Sequence, residues 1–382
     1  MKLSEYISID RLFGRIAEGY VNVHKHNTFP LVMYTYSRSA TFDNVWDDIT
    51  CKCRCLIVNA ETGDIVARSF EKFFNYASAG HPETLPDALP KDSPTITDKL
   101  DGNLITLYKW DGEWYAASKG SFHSKHADWA NHWLHENAEL HFLSGYKWPR
   151  GYTPVFEMIA EELEHHVVHY GEEASGLYLT ALINTETGEE LPEAVKAIWA
   201  ATNEVPLVPE LNLTLEAALK VNEKNAEGYV LAWPRFRQPP FRVKVKFIDF
   251  LRLQKLIHHT GPKEILDYMR RPELQCYLDE ALDPARSHPV FISYVKQWME
   301  RFDQEYMRID AEAFTQFEVM YCVVGRGAPR KAYAEYINKQ HYPAIMFARL
   351  DKKPAMAAKQ VWKQVEPLAK TEDIHGLVTQ EE

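Results

Sequence analysis

The sequence predicts an α+β protein in two parts, with antiparallel sheets and flanking helices over residues 1–250 and an all-helical region over residues 251–382. Two patterns carry this expectation. In the first part, short alternating runs are joined by turns too tight for a helical crossover, which makes their strands antiparallel. After about Phe250 the alternation stops and apolar residues recur at steps of three and four. Composition sets the broad class: 46% hydrophobic and 25% charged residues in a chain of 382 is globular and long enough for two or three domains.

Taken in order, Cys55 to Asn59 and Ile65 to Ser69 flank the turn Glu61-Thr-Gly-Asp64. Leu104 to Trp110 and Glu113 to Ser118 flank Asp111-Gly112, the dipeptide that favours a type I′ hairpin. Leu177 to Asn184 runs into Thr187-Gly188, and Gly228 to Trp233 and Phe241 to Phe247 bracket a proline-rich connection from Pro234 to Pro240. Helices are expected around Ser124 to Leu143, where Trp129, Trp133 and Leu140 share a face, and around Leu213 to Val221. In the second part Val295, Trp298, Phe302, Tyr306, Ile309, Ala313 and Phe317 form one apolar stripe, the buried face of a helix. Gly325-Arg-Gly-Ala-Pro-Arg-Lys331 reads as a loop between helices, and Thr371 to Glu382 as a loose acidic tail.

The net charge of -11 argues against nonspecific coating of nucleic acid, an affinity that comes from cations displacing counterions. The charge is uneven. Residues 251–382 hold 19 basic and 19 acidic side chains, so residues 1–250 carry the whole deficit. Within the second part, Cys322 to Lys370 sets ten basic residues against three acidic ones. No apolar run approaches the roughly 18 residues of a membrane span, and Met1 to Asp10 lacks a signal-peptide layout. The expectation is a soluble, cytoplasmic, monomeric protein that engages no membrane. Cys51, Cys53 and Cys55 alternate and on a strand would share a face. With no second ligand pair supplied by Cys276 and Cys322, they read as packing rather than zinc.

The most informative segment is Thr97-Asp-Lys-Leu-Asp-Gly-Asn103, a lysine two residues before Asp-Gly at the start of an alternating strand. Alone it is an ordinary turn. Around it, in order, stand Cys53-Arg-Cys55, Arg68-Ser-Phe-Glu-Lys-Phe-Phe-Asn75, Ser118-Lys-Gly-Ser121, Val155-Phe-Glu-Met158, Ala226-Glu-Gly-Tyr-Val230 and Val243-Lys-Val-Lys-Phe247. A lysine attacks a phosphorus only when deprotonated, and its ordinary pKa of about 10.4 keeps it charged at pH 7. Neighbouring cations would lower that value, and Lys244, Lys246, Lys119 or a bound metal are the expected source. Lys244 and Lys246 share a strand face, a pattern that plain amphipathic alternation also produces.

From about Tyr36 to Phe250 this series resembles the covalent nucleotidyltransferases, and most closely the bacteriophage RNA ligase 1 family of single-stranded RNA ligases. The resemblance implies that Lys99 is the nucleophile that takes AMP from ATP, with Asp101 and Gly102 shaping its turn. It implies nucleotide and phosphate contacts from Tyr36, Arg54, Lys72, Lys244 and Lys246, a ribose contact from Glu157, and a role for Lys119 in ligation. Glu227 would hold a divalent metal, Mg²⁺ with Mn²⁺ as substitute. The implied partner is single-stranded RNA with 5′-phosphate and 3′-hydroxyl ends, nicked tRNA among the candidates. An RNA-backbone contact falls on Arg326, Arg330 and Lys331, where a solvated basic face explains the charge equally well. Asn103 stands where many members carry Ser, and Phe250 where a functional Tyr occurs, so Phe250 is left out of the site.

Three rivals share these residues. A metal hydrolase on His165 and His169 lacks the glutamate a zincin helix needs between them. A DNA ligase or capping enzyme would typically append an OB-fold where this chain reads helical. A noncatalytic RNA-binding relative would show a broken nucleophile or clamp, whereas Lys99, Glu227, Lys244 and Lys246 are all present.

Overall fold

Turn chemistry fixes the strand pairing. Asp111 and Gly112 both adopt positive φ, 49° and 92°, as a type I′ turn requires. The flanking strands pair from Ile105 with Ser118 to Trp110 with Glu113. The computed structural model describes residues 1–136, 151–161, 163, 166–202, 204–284, 287 and 289–366. The described residues divide into two compact units, 1–252 and 253–366.

In the first unit the strands make three four-stranded sheets. β1 (Val21–Lys25), β2 (Leu31–Tyr36), β3 (Leu56–Asn59) and β4 (Ile65–Ala67) form one, in that order. β5 (Phe74–Asn75) and β6 (Thr95–Lys99) join β11 (Gly228–Arg235) and β12 (Gln238–Lys246) in the order β5-β12-β11-β6, antiparallel except that β5 runs parallel to β12. β7 (Asn103–Trp110), β8 (Glu113–Ser118), β9 (Tyr152–Ile159) and β10 (Gly176–Asn184) form the third, in the order β10-β9-β7-β8.

Alternation gives the third sheet two buried faces. Ile105, Leu107, Phe156 and Leu179 pack with Ala130 and Leu134 of the helix Lys125–Glu136 and with Trp199 of the helix Glu193–Thr202. Tyr108 and Ala117 pack with Leu31, Met33 and Ile57 of the first sheet. Each fully buried large apolar side chain contributes about 1.5–3 kcal/mol, so this double interface holds the unit together. In the second unit the predicted stripe lies on a 36-residue helix, Pro289–Val324, where Val295, Trp298, Phe302, Ile309, Ala313 and Phe317 are buried. No helix among the described residues is long and apolar enough to cross a membrane.

Four local expectations need correction. Cys51 lies in a short helix, Asp48–Lys52, rather than on a strand. Its N-cap Asp47 accepts from the Ile49 and Thr50 N–H groups at 2.9 Å, and Cys55 turns to φ 52° before β3 begins. Cys53 and Cys55 nonetheless pack in apolar clusters, as expected of structural cysteines. The proline-rich connection is a tight turn at Phe236-Arg237, since Arg235 pairs with Gln238. Pro234 sits at a bulge, and Pro239 and Pro240 lie where β12 has no partner on its β5 side, so no ladder N–H is missed. The loop after Gly325 ends at Pro329, and the helix Arg330–Ile337 takes in Arg330 and Lys331. The Leu213–Val221 helix shortens to Leu215–Ala218. Residues 137–143 of the expected helix, Lys370 and the acidic tail lie outside the described residues.

Candidate active site

Lys99 ends β6 and Asn103 begins β7, so Leu100-Asp101-Gly102 carries the chain from one sheet to the next. The turn is pressed against β9. A Cβ on Gly102 would stand 2.4 Å from the Met158 carbonyl oxygen and 3.0 Å from Glu157 Cγ, so only glycine fits. Leu104 pairs with Glu157, which brings that carboxylate beside the turn, where the Gly102 N–H donates to it.

Across the neighbouring strand, Gly228 pairs with Lys99 on one side and with Lys246 on the other. The preceding residue, Glu227, is buried and joins the two lysines: Oε2 lies 2.6 Å from Lys99 Nζ and Oε1 lies 3.1 Å from Lys246 Nζ. Gly228 has φ 148°, and a Cβ there would meet the Val245 carbonyl oxygen at 1.9 Å. The Glu-Gly pair is therefore what lets β11 and β12 close while presenting the carboxylate. Lys244 shares the face of Lys246 and lies opposite Val230 and Asn75.

The electrostatics depart from expectation. Burial pulls the Lys99 pKa down, but Glu227, Glu157 and Asp101 outweigh it and hold the amine above its ordinary value. The charges facing Lys99 are carboxylates, and Lys246 is already paired with Glu227, so the cations expected to depress Lys99 do not prevail. Burial, reinforced by Glu227, pushes Asp101 up to about 7, and burial pushes Glu157 up to about 7 against the opposing Lys99 charge. Although Glu227 Oε2 touches Lys99, it has no hydrogen bond of acceptable angle. A buried carboxylate held here by lysine ammoniums suits Mg²⁺ or Mn²⁺, which would take the place of the Lys99 contact. Among the described residues no group of three or more His, Cys, Asp or Glu could hold a metal, so a cation at Glu227 would complete its shell from phosphate oxygens and water.

A clamp that sequence reasoning missed holds the turn. Asp101 Oδ2 accepts from the Val167 and Val168 N–H groups at 2.8 and 3.0 Å, and the Asp101 N–H donates to Tyr170 Oη at 2.6 Å. The Tyr170 N–H donates to Glu161 Oε1 at 2.8 Å, and His169 exchanges two backbone hydrogen bonds with the Asn225 side chain. The segment weighed as a metal site thus serves the turn through its backbone; His165 lies outside the described residues. Nothing in its sequence marks it, because the contacts span 66 to 69 residues.

A second group forms around Tyr36. Lys119 Nζ and Lys72 Nζ lie 4.9 and 5.2 Å from its ring centroid, and Trp46 meets it edge-on at 5.0 Å. Lys72 also lies over Trp46 and Phe74, and Phe74 pairs with Val243 on β12, which ties this group to the sheet of Lys244 and Lys246. Arg54 lies over Phe73 at 5.5 Å, and its charge acts on Glu157. Trp46, Phe74 and Phe250, whose ring lies 5.0 Å from Lys246 Nζ, are aromatic neighbours that the sequence reading did not select. Phe74 had a signal in its place in the Lys-Phe-Phe-Asn run and Phe250 in standing where a functional Tyr occurs, whereas Trp46 had none. In the helical unit, Arg326 lies 3.8 Å from Glu318 and Arg330 is 2.5 Å from Asp351, while Lys331 is exposed.

The site thus sets a strand-end lysine against three carboxylates, Asp101, Glu157 and Glu227, with Lys246 on the adjoining strand. The model of the family described as RNA ligase matches residues 52–248, just over half of the chain, and the chain belongs to that family. A "Putative RNA ligase" of Thermovibrio ammonificans is 26% identical over 234 residues, covering 59% of this chain and 58% of its own. A "Putative bifunctional polynucleotide kinase/RNA ligase" of Autographa californica nuclear polyhedrosis virus is 37% identical over 78 residues, 19% of this chain and 11% of that protein. The chain thus spans less than two thirds of the length of either relative. Among solved structures, the Naegleria gruberi RNA ligase with pyrophosphate aligns with 43% of this chain and 52% of its own at 20% identity and a TM-score of 0.33.

Proposed function

We propose that the protein is an ATP-dependent ligase that joins 5′-phosphate and 3′-hydroxyl ends of single-stranded RNA, with nicked tRNA as a candidate natural substrate. The observation that carries this reading is Lys99, half-buried at a strand end against the buried Glu227, within the segment matched by the RNA ligase family.

Lys99 Nζ attacks the α-phosphorus of ATP, forming a P–N bond as pyrophosphate leaves. The RNA 5′-phosphate then takes the AMP from Lys99, and the 3′-hydroxyl attacks that phosphate and releases AMP. Lys244, Lys246, Arg54 and Lys72 hold the phosphates and offset charge in the transition states. Glu157 binds the ribose, Tyr36 contributes to the nucleotide pocket, and Lys119 acts in the sealing step. A divalent cation at Glu227 would supply Lewis-acid neutralisation of phosphate charge and draw the carboxylate away from the Lys99 ammonium. In this reading residues 1–250 carry the chemistry and residues 251–382 assist in holding RNA.

The test is conversion of 5′-labelled single-stranded RNA into phosphatase-resistant product with ATP and Mg²⁺. Wild type is expected to seal and Lys99→Ala to give none; sealing by Lys99→Ala, or none by folded wild type, contradicts the reading.

A further inference from the structure

The β11–β12 hairpin, which follows Glu227 and carries Lys244 and Lys246, ends at the turn Phe236-Arg237. Phe236 there is 85% exposed. Arg237 beside it holds φ 53°, a left-handed conformation for which hairpin turns normally use Asn or Gly. Arg235 precedes them, its Nε donating to the Pro239 carbonyl at 2.8 Å so that the guanidinium is held along the hairpin. The acid at the tip is Glu189, which accepts from the Arg237 N–H at 3.4 Å. An exposed phenylalanine between two arginines at a strained turn buries little apolar surface in the fold.

Between this tip and Lys244 lies a cavity of about 230 Å³ whose lining includes Arg68, Phe70, Glu190, Phe241 and Arg242. Its arginines are already neutralised, Arg68 by Glu71 and Arg242 by Glu190, and Arg242 lies 4.6 Å over the Phe70 ring. Lys72 also lines the cavity, but Glu71, Glu83 and Glu190 match its three cations, and balanced charges beside aromatic faces suit a planar, neutral heterocycle, with Lys72 on the side of the phosphates. Strand geometry sets the spacing. Gly228 is paired with Lys246, so at about 3.4 Å per residue Arg242 is about 14 Å and Phe236 about 27 Å along the hairpin from that pair.

We propose that single-stranded RNA lies along this hairpin, with Phe236 as a base-stacking platform, Arg235 and Arg237 as phosphate contacts, and the cavity as a base pocket that leads the strand end toward Lys244 and Lys246. The proposal rests on the ligase reading for the identity of the strand. Stacking on an exposed aromatic and pairing with arginine are how single strands are held without sequence preference.

The test uses the full chain and a fluorescent, 5′-phosphorylated oligouridylate, with anisotropy recorded across a salt series and AMP loading of Lys99 followed by intact mass. Phe236→Ala is expected to weaken RNA binding about tenfold with AMP loading unchanged. Arg235→Ala combined with Arg237→Ala is expected to lower the slope of log K against log salt by about 1.4, that is about 0.7 for each lost phosphate contact. Wild-type affinity and slope in both variants, or no RNA binding by the wild type, overturns the track. Absence of AMP loading in the wild type overturns the ligase reading instead and leaves the binding data to decide the track.

Discussion

Replacing Gly228 by alanine strikes the point where β11, β12 and Glu227 meet. The added Cβ would lie 1.9 Å from the Val245 carbonyl oxygen and 2.9 Å from Lys246 Cα. Neither atom belongs to a flexible side chain, so β12 must retreat by more than about 1 Å to reach ordinary contact. Overpacking of this kind costs about 1–3 kcal/mol, and φ 148° adds strain of similar size for a residue with a side chain. A total near 3 kcal/mol lowers Tm by about 6–12 °C in a domain of this size. The same retreat moves Lys246 and Glu227, and a misplacement of about 1 Å can cost about a hundredfold in rate. Circular dichroism melts and the rate of AMP loading measure both effects. Gly14→Ala is the control: it lies in the helix Ile9–Ala17 with nothing within 4 Å of its Cβ position and should stabilise by about 0.5–1 kcal/mol. A Gly228→Ala protein that loads AMP within about threefold of wild type would show that this strand contact does not position the site.

Three further outcomes are expected. Tyr170→Phe leaves the half-buried Asp101 N–H without its acceptor, which should cost about 1–2 kcal/mol in urea unfolding and slow AMP loading about tenfold; unchanged stability would remove the clamp from the account. Asp47 is pushed up by burial, but the Thr50 and Ile49 N–H groups and Arg15 hold it below its usual value, so its charge stabilises the fold above about pH 4 and that stability is lost as pH falls through the lowered pKa. Asp47→Asn should therefore be less stable by about 1 kcal/mol at pH 6, with the gap closing toward pH 3. Of the five free cysteines, Cys276 and Cys322 are exposed and should alkylate quickly in the native protein, while burial pushes Cys51, Cys53 and Cys55 up to about 12 and should protect them until unfolding; peptide mass mapping reads the order.

What the sequence made legible was local. Asp111-Gly112 names its own turn because its backbone demands positive φ, and the long-helix stripe follows from a period that only a helix satisfies. Lys99-x-Asp-Gly and Glu227-Gly stood out by their order among the other motifs, and the structure adds that each glycine answers a close backbone approach, at Met158 and at Val245. The rest was nonlocal. Whether Lys246 would depress Lys99 depended on a third group, Glu227, that binds both, and no spacing rule reveals it. Val167 and Val168 reach Asp101 across the fold through backbone N–H groups that any such residue carries, and Tyr170 reaches it through a phenol oxygen 69 positions away. The prolines from 234 to 240 signalled a loop, yet one sits at a bulge and two where β12 lacks a partner on its β5 side, so the strand absorbed them.

The central claim is that Lys99 forms the covalent bond to AMP. The most direct measurement is intact mass of the full chain after incubation with ATP and Mg²⁺, followed by peptide mapping, with Lys99→Ala in parallel. The expected result is one AMP added to the wild type, mapped to Lys99, and none on the variant. An adduct on another residue, or none on folded wild-type protein first freed of any AMP it carries, would contradict it.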